Sequence, residues 1–227
     1  MSSKTIEIKP GFSGYLALPK ADRAPGILLI QEIFGVNPHI KDVADLYAAA
    51  GYVVLAPDVF WRVQPNVQLD YTPDDMKKGM ELWQQCNKDQ VVSDLIDAVK
   101  TLRQQPQCAG RVGSVGFCLG GYLSYKLATH DAVDAAVCYY GGGIANDLEE
   151  AKNLHCPIMM HFGEKDSHIP KSSVDSIRAA LQGKGHVEIF TYDADHGFNC
   201  DRRASYDRPS AMLAFGRSMI VLNKTLC

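Results

Sequence analysis

Apolar residues fall along this chain in short unbroken runs, separated by stretches where they return every third or fourth position. The runs are "PGILLIQ" (25–31), "GYVVLAP" (51–57), "RVGSVGF" (111–117), "DAAVCYY" (134–140), "CPIMMHF" (156–162) and "VEIFTY" (187–192). Short apolar runs rich in Val, Ile and Leu suit strands buried on both faces. Ahead of them, "TIEIKP" and "GYLALP" alternate and flank Gly11-Phe12-Ser13, which predicts an opening hairpin. The intervening stretches read as helices. "PHIKDVADLYAAAG" has Pro38 at its start and Gly51 at its end, and "TPDDMKKGMELWQQ" opens with Thr72 as an N-cap, then Pro73 and two acids. Val91, Val92, Leu95, Ile96, Val99 and Leu102 share one face of a helix over 88–105. Further helices are predicted over 119–129, 170–182 and 203–223.

Strands that alternate with helices predict an α/β fold: a mostly parallel central sheet with helices on both faces, in one domain over 1–227. Sites in such sheets gather beyond the carboxyl ends of the strands. Gln31-Glu32, Cys118, Tyr139-Tyr140, Asp166 and His196 all stand at such ends or in the loops that follow.

Composition narrows the partners. Of 227 residues 46% are hydrophobic and 22% charged, and the formal net charge is −3, so nothing draws the chain to nucleic acid or to anionic membrane. No window approaches the roughly 18 apolar residues of a membrane helix, and Met1 to Lys9 lacks the apolar core of a signal peptide. Seven cysteines, with no Cys-x-x-Cys pair, predict reduced thiols in a cytoplasmic protein with no metal site and no cofactor.

One of those cysteines stands apart. "GFCLGG" (116–121) follows a strand-like run and opens a helix, so small residues surround Cys118 at a sharp turn. The Leu119 amide at the helix start favours negative charge, whether on a thiolate or on an oxyanion. This stretch alone leaves two readings open, a nucleophile or a small thiol filling a tight corner. Two further loops add weight. "HFGEKDSHIP" supplies Asp166 after one strand, and "YDADHGFNC" supplies His196 after the last. Nucleophile, acid, histidine is a known chain order for triads built on a strand-to-helix turn. His168 is the nearest rival histidine; Asp193 and Asp195 are rival acids, but they lie too close to His196 in sequence to face its ring easily.

"QEIFGVN", "GFCLGG", "YYG", "HFGEKD" and "DHGF" together resemble the dienelactone hydrolases, carboxymethylenebutenolidase-type members of the α/β-hydrolases, over nearly the whole chain. The resemblance implies a hydrolase that cleaves a small-molecule lactone or ester through Cys118, Asp166 and His196, by way of a thioester. It implies a glutamate beside the thiol (Glu32), an oxyanion hole made by the amides of Ile33 and Leu119, and pocket-lining aromatics at Phe34, Trp83, Tyr139 and Phe198. Glu32 would oppose a second negative charge and keep the resting thiol less readily ionised. A monomer or homodimer is expected.

The match is weaker where a substrate carboxylate would be held. The family pattern places arginines where this chain has Met76 and Cys200, and a tyrosine where it has Met80. Lys77, Lys78, Arg202 and Arg203 lie nearby, although lysine is the poorer bidentate clamp. Two alternatives follow: a carboxylesterase for uncharged esters, or a ligand-binding homologue without catalysis.

Overall fold

The computed structural model describes residues 2–227. In chain order its elements are β1 (Ser2–Lys9), β2 (Phe12–Leu18), β3 (Ala24–Ile30), α1 (Pro38–Ala49), β4 (Val53–Pro57), α2 (Pro73–Gln85) and α3 (Lys88–Arg103). There follow β5 (Cys108–Phe117), α4 (Leu119–Thr129), β6 (Ala135–Tyr139), β7 (Ile158–Gly163), α5 (Lys171–Ala180), β8 (Val187–Tyr192) and α6 (Arg208–Leu226). The strands before β5 lie in the order β1-β2-β4-β3, and those after it in the order β6-β7-β8. The predicted strands, hairpin and helices are all present. Residues up to Gly113, with Cys227, form one compact unit; Ser114–Leu226 form a second.

In the first unit β1 and β2 pair antiparallel, as do β2 and β4, whereas β3 and β4 run parallel with Ile27 opposite Val54. All of β4, and β3 apart from Pro25, are buried, as their unbroken apolar runs require. The helices start where their caps dictate: Asn37, Thr72 and Asn87 each accept a backbone N–H from three residues ahead. β1 is an exposed edge strand, latched at its end by Lys9. The Lys9 ammonium meets Asp94 at 2.6 Å and Asp97 at 3.1 Å, and Asp94 also takes Arg62 at 2.7 Å and the Trp61 indole at 3.0 Å. Burial works against the Asp94 charge, but bonds from Arg62, Lys9 and Trp61 prevail and hold its carboxyl below the usual range.

In the second unit β6, β7 and β8 run parallel, with Tyr139 opposite His161 and His161 opposite Phe190. Every residue of α4 is buried. Its one cation, Lys126, pairs with Glu150, whose other oxygen accepts the Thr129 hydroxyl at 2.9 Å. Glu150 lies in the second of two 3-10 turns, Ile144–Asn146 and Leu148–Asn153, which the apolar pattern does not announce.

Several boundaries differ from expectation by a few residues, and two of the starts have a clear cause. β5 begins at Cys108 rather than 111, because its first residues are mostly exposed and carry no apolar signal. α6 begins at Arg208 rather than 203. Backbone turns from Arg203 to Cys200 and from Tyr206 to Arg203 precede it, and Asp207 caps it by accepting the Ser210 N–H at 2.9 Å. Among the described residues no helix is long and apolar enough to cross a membrane.

Replacing Asp94 with Ala leaves Lys9, Arg62 and Trp61 without their common acceptor. Urea titration of Asp94→Ala should show an unfolding free energy lower by about 2 kcal/mol, the scale of hydrogen bonds to a charged group.

Candidate active site

Cys118 sits between β5 and α4 with φ 54° and ψ −114°, a backbone conformation rare for a residue with a β-carbon. Such strain costs on the order of 1–3 kcal/mol and persists only where the surroundings impose it. Here they do. The Cys118 N–H donates to the Tyr139 carbonyl at 3.0 Å, and the Cys118 carbonyl accepts from Gly121 at 3.0 Å and Tyr122 at 3.2 Å. A β-carbon on Gly116 would lie 1.9 Å from the Gly120 carbonyl oxygen, and one on Gly121 would lie 2.5 Å from that of Tyr139. The glycines of "GFCLGG" therefore admit backbone contacts that a side chain would forbid. Cys118 is half-buried and Leu119 opens α4, where the first amides of a helix have no partner within it.

Asp166 follows β7 and is 4% exposed. Its Oδ1 accepts the N–H groups of His168 (2.8 Å) and Ile169 (3.1 Å), which leaves Oδ2 to take His196 Nδ1 at 2.6 Å. Burial alone would raise the Asp166 pKa; the His196 bond and charge, with the two backbone donors, lower it instead. His196 follows β8, its own N–H held by Asp195 Oδ1 at 2.6 Å. Burial disfavours its charge, yet the charge of Cys118, hydrogen bonds to Asp166 and Cys118, and the charge of Asp166 push it up to about 10. Thiol, imidazole and carboxylate are thus brought into one chain of contacts. With Asp166 on Nδ1, the other ring nitrogen is left for sulfur. Such a chain can pass a proton to and from the thiol.

The rival residues have other roles. His168 is exposed and gives Asp166 its backbone N–H, with its ring 5.1 Å from that of His196. Asp193 pairs with Lys165 at 2.8 Å. Of the expected aromatics, Phe198 is fully buried and packs against Tyr140 and Tyr192. Tyr139 is fully buried too, stacked on Phe117 at 4.7 Å with its hydroxyl on Ser218. The aromatic ring beside His196 is that of Tyr140, at 5.1 Å, on a backbone with φ 37°. Sequence reasoning placed Tyr140 at a strand end but gave it no role. Its signal was its position at the end of an apolar run.

In the first unit, Glu32 is 1% exposed in the loop after β3, beside Ile33 and Phe34, which are also buried. Gln31 ties that loop down: its side chain donates to the Glu32 carbonyl at 3.2 Å and accepts from the Val59 N–H at 3.2 Å. Phe34 meets Tyr71 edge-on at 4.6 Å. Trp83 and Met76 are half-buried on α2 and Met80 is exposed there, whereas Cys200 of the second unit is fully buried. Arg203 lies against Gly197, the residue after His196.

Residues 12–226 match the model of the dienelactone hydrolase family. The chain is 30% identical, over 97% of its length and 94% of the relative's, to a carboxymethylenebutenolidase of Pseudomonas sp. (strain P51). It is 36% identical, over 88% and 86%, to a provisionally named carboxymethylenebutenolidase of Synechocystis sp.. A provisionally named dienelactone hydrolase structure from Klebsiella pneumoniae superposes with a TM-score of 0.88 at 32% identity, covering 98% of each chain. The architecture is that of an α/β-hydrolase.

The two shifted groups act on stability at opposite ends of the pH scale. The depressed Asp166 pKa adds stability that is present above about pH 3.9, the ordinary aspartate value, and lost as pH falls through the native value. The raised His196 pKa adds stability that is complete below about pH 6.5 and lost as pH rises through about 10. In urea titrations the difference between the native protein and Asp166→Asn should therefore shrink below about pH 4, and that for His196→Gln should shrink between pH 7 and about 10.

Proposed function

Since the chain belongs to the dienelactone hydrolase family and is a carboxylic ester or lactone hydrolase, we propose that it works through a Cys118–His196–Asp166 triad and a thioester intermediate. The observation that carries this reading is the 2.6 Å bond from His196 Nδ1 to Asp166, on a ring whose protonation is supported by Cys118 at a strained turn. We take residues 1–227 to act as one hydrolase domain.

In this reading the Cys118 sulfur, its proton held by His196, attacks the ester carbonyl carbon. A C–S bond forms and the carbonyl electron pair moves onto oxygen, facing the Leu119 amide, with Ile33 as the second expected donor. The pair returns, the C–O bond breaks, and the leaving oxygen takes the proton from His196. A water molecule, deprotonated by His196, then attacks the thioester, and the carboxylate product departs as the thiol is restored. Asp166 keeps the ring in one tautomer and supports its charge. Glu32 would modulate the thiol, and Phe34, Trp83, Tyr139 and Phe198 would shape the pocket.

The acceptable substrate is the second question. Met76 and Cys200, at the positions where the family pattern has arginines, bring no charge to bind a carboxylate, and Cys200 is fully buried. This favours an uncharged ester or lactone over a carboxylated one.

With an activated aryl ester, Cys118→Ala should lower kcat at least about 10³-fold, and the native protein should carry an acyl group on Cys118 in mass spectra of quenched reactions. Turnover that survives Cys118→Ala refutes the mechanism. Comparing a dienelactone with an uncharged lactone should show the larger kcat/KM for the uncharged one; a reversed preference would mean that another cation, such as Arg203, holds the carboxylate.

A further inference from the structure

His161, in the middle of β7, is fully buried and has no part in the proton path described above. Its Nδ1 lies 2.8 Å from the Tyr192 hydroxyl and its Nε2 lies 3.0 Å from the Ser218 hydroxyl. Ser218 donates to the Ala214 carbonyl at 2.8 Å and also meets the Tyr139 hydroxyl at 2.8 Å. The Arg217 guanidinium donates to the Tyr192 hydroxyl at 3.0 Å.

Donor and acceptor capacity fixes most of the protons in this cluster. Arginine only donates, so the Tyr192 oxygen accepts there. The Ser218 proton goes to Ala214, so the Ser218 oxygen accepts from both His161 Nε2–H and the Tyr139 hydroxyl. These bonds place a proton on His161 Nε2, and on the neutral ring Nδ1 accepts the Tyr192 hydroxyl. Burial, and then the charge of Arg217, keep it neutral by pushing its pKa down to about 3.

The partners of His161 lead to the three catalytic loops. The Tyr139 carbonyl accepts the Cys118 N–H. The Tyr192 carbonyl accepts the N–H groups of Glu164 (2.8 Å) and Ala194 (2.7 Å), each two residues before a triad member. The His161 carbonyl accepts the Tyr140 N–H at 2.7 Å, and the Tyr140 ring flanks His196. The imidazole therefore ties β7 to β8 and to α6, and Ser218 carries the tie on to Tyr139 of β6.

We propose that His161 is a positioning residue: by bonding Tyr192 and Ser218 at once, it holds the strand ends from which Cys118, Asp166 and His196 are aligned. This rests on the triad reading above. A buried polar cluster that served stability alone would alter unfolding and leave turnover per folded molecule unchanged.

His161→Phe fills the space but bonds neither partner, whereas His161→Gln can accept from Tyr192 and donate to Ser218. For folded protein, verified by circular dichroism and cooperative melting, His161→Phe should lower kcat on an activated ester at least about tenfold with KM within about twofold, as displaced reacting groups do. Alkylation of Cys118 by iodoacetamide should slow in parallel, and His161→Gln should recover most of both rates. Wild-type kcat and alkylation rates in folded His161→Phe overturn the proposal. If that variant does not fold, Tyr192→Phe removes a single hydroxyl from the clamp and is held to the same two outcomes. Persistence of turnover in Cys118→Ala would instead strike the triad reading, so the two failures are told apart.

Discussion

The second unit depends on one strained residue. Cys118 holds a left-handed backbone conformation that a β-carbon resists, and this geometry lets a side chain stand at the end of β5 while the chain turns at once into α4. The turn survives because its N–H and carbonyl are both bonded and because Gly116, Gly120 and Gly121 let backbone lie on backbone. Strain, close contact and hydrogen bonding are here one device.

α4 keeps that device rigid. A helix enclosed along its whole length cannot rock without opening a cavity, and its only cation is neutralised by Glu150 from a separate segment. Tyr122 and Tyr125 reach the same segment through Asp147, at 2.5 Å to its carboxylate and 3.1 Å to its carbonyl. The first amides of α4 are thereby held in place beside Cys118.

Much of this was legible in the chain. Unbroken apolar runs marked the buried strands, and the caps at Asn37, Thr72 and Asn87 marked helix starts, because both signals are local. Asp166 and His196 could be singled out because each stands in a loop after its own strand. What stayed hidden was set by distant partners. Nothing near His161 in sequence shows that it would bond Tyr192 and Ser218, and an apolar run reads the same whether it ends in Tyr139, turned into the interior, or in Tyr140, turned toward His196. The start of α6 was missed because Asp207 and Pro209, which set it, follow residues equally able to form a helix.

α6 follows every strand in the chain, and it carries Ser218 and Arg217. During synthesis, then, the turn that presents the thiol and all eight strands emerge before the hydroxyl that completes the bonds beneath them. A nascent chain passes through a stage with Cys118 already made and the bond from His161 to Ser218 not yet formed. The order of translation leaves the bonds beneath these strand ends to a helix that is made after them.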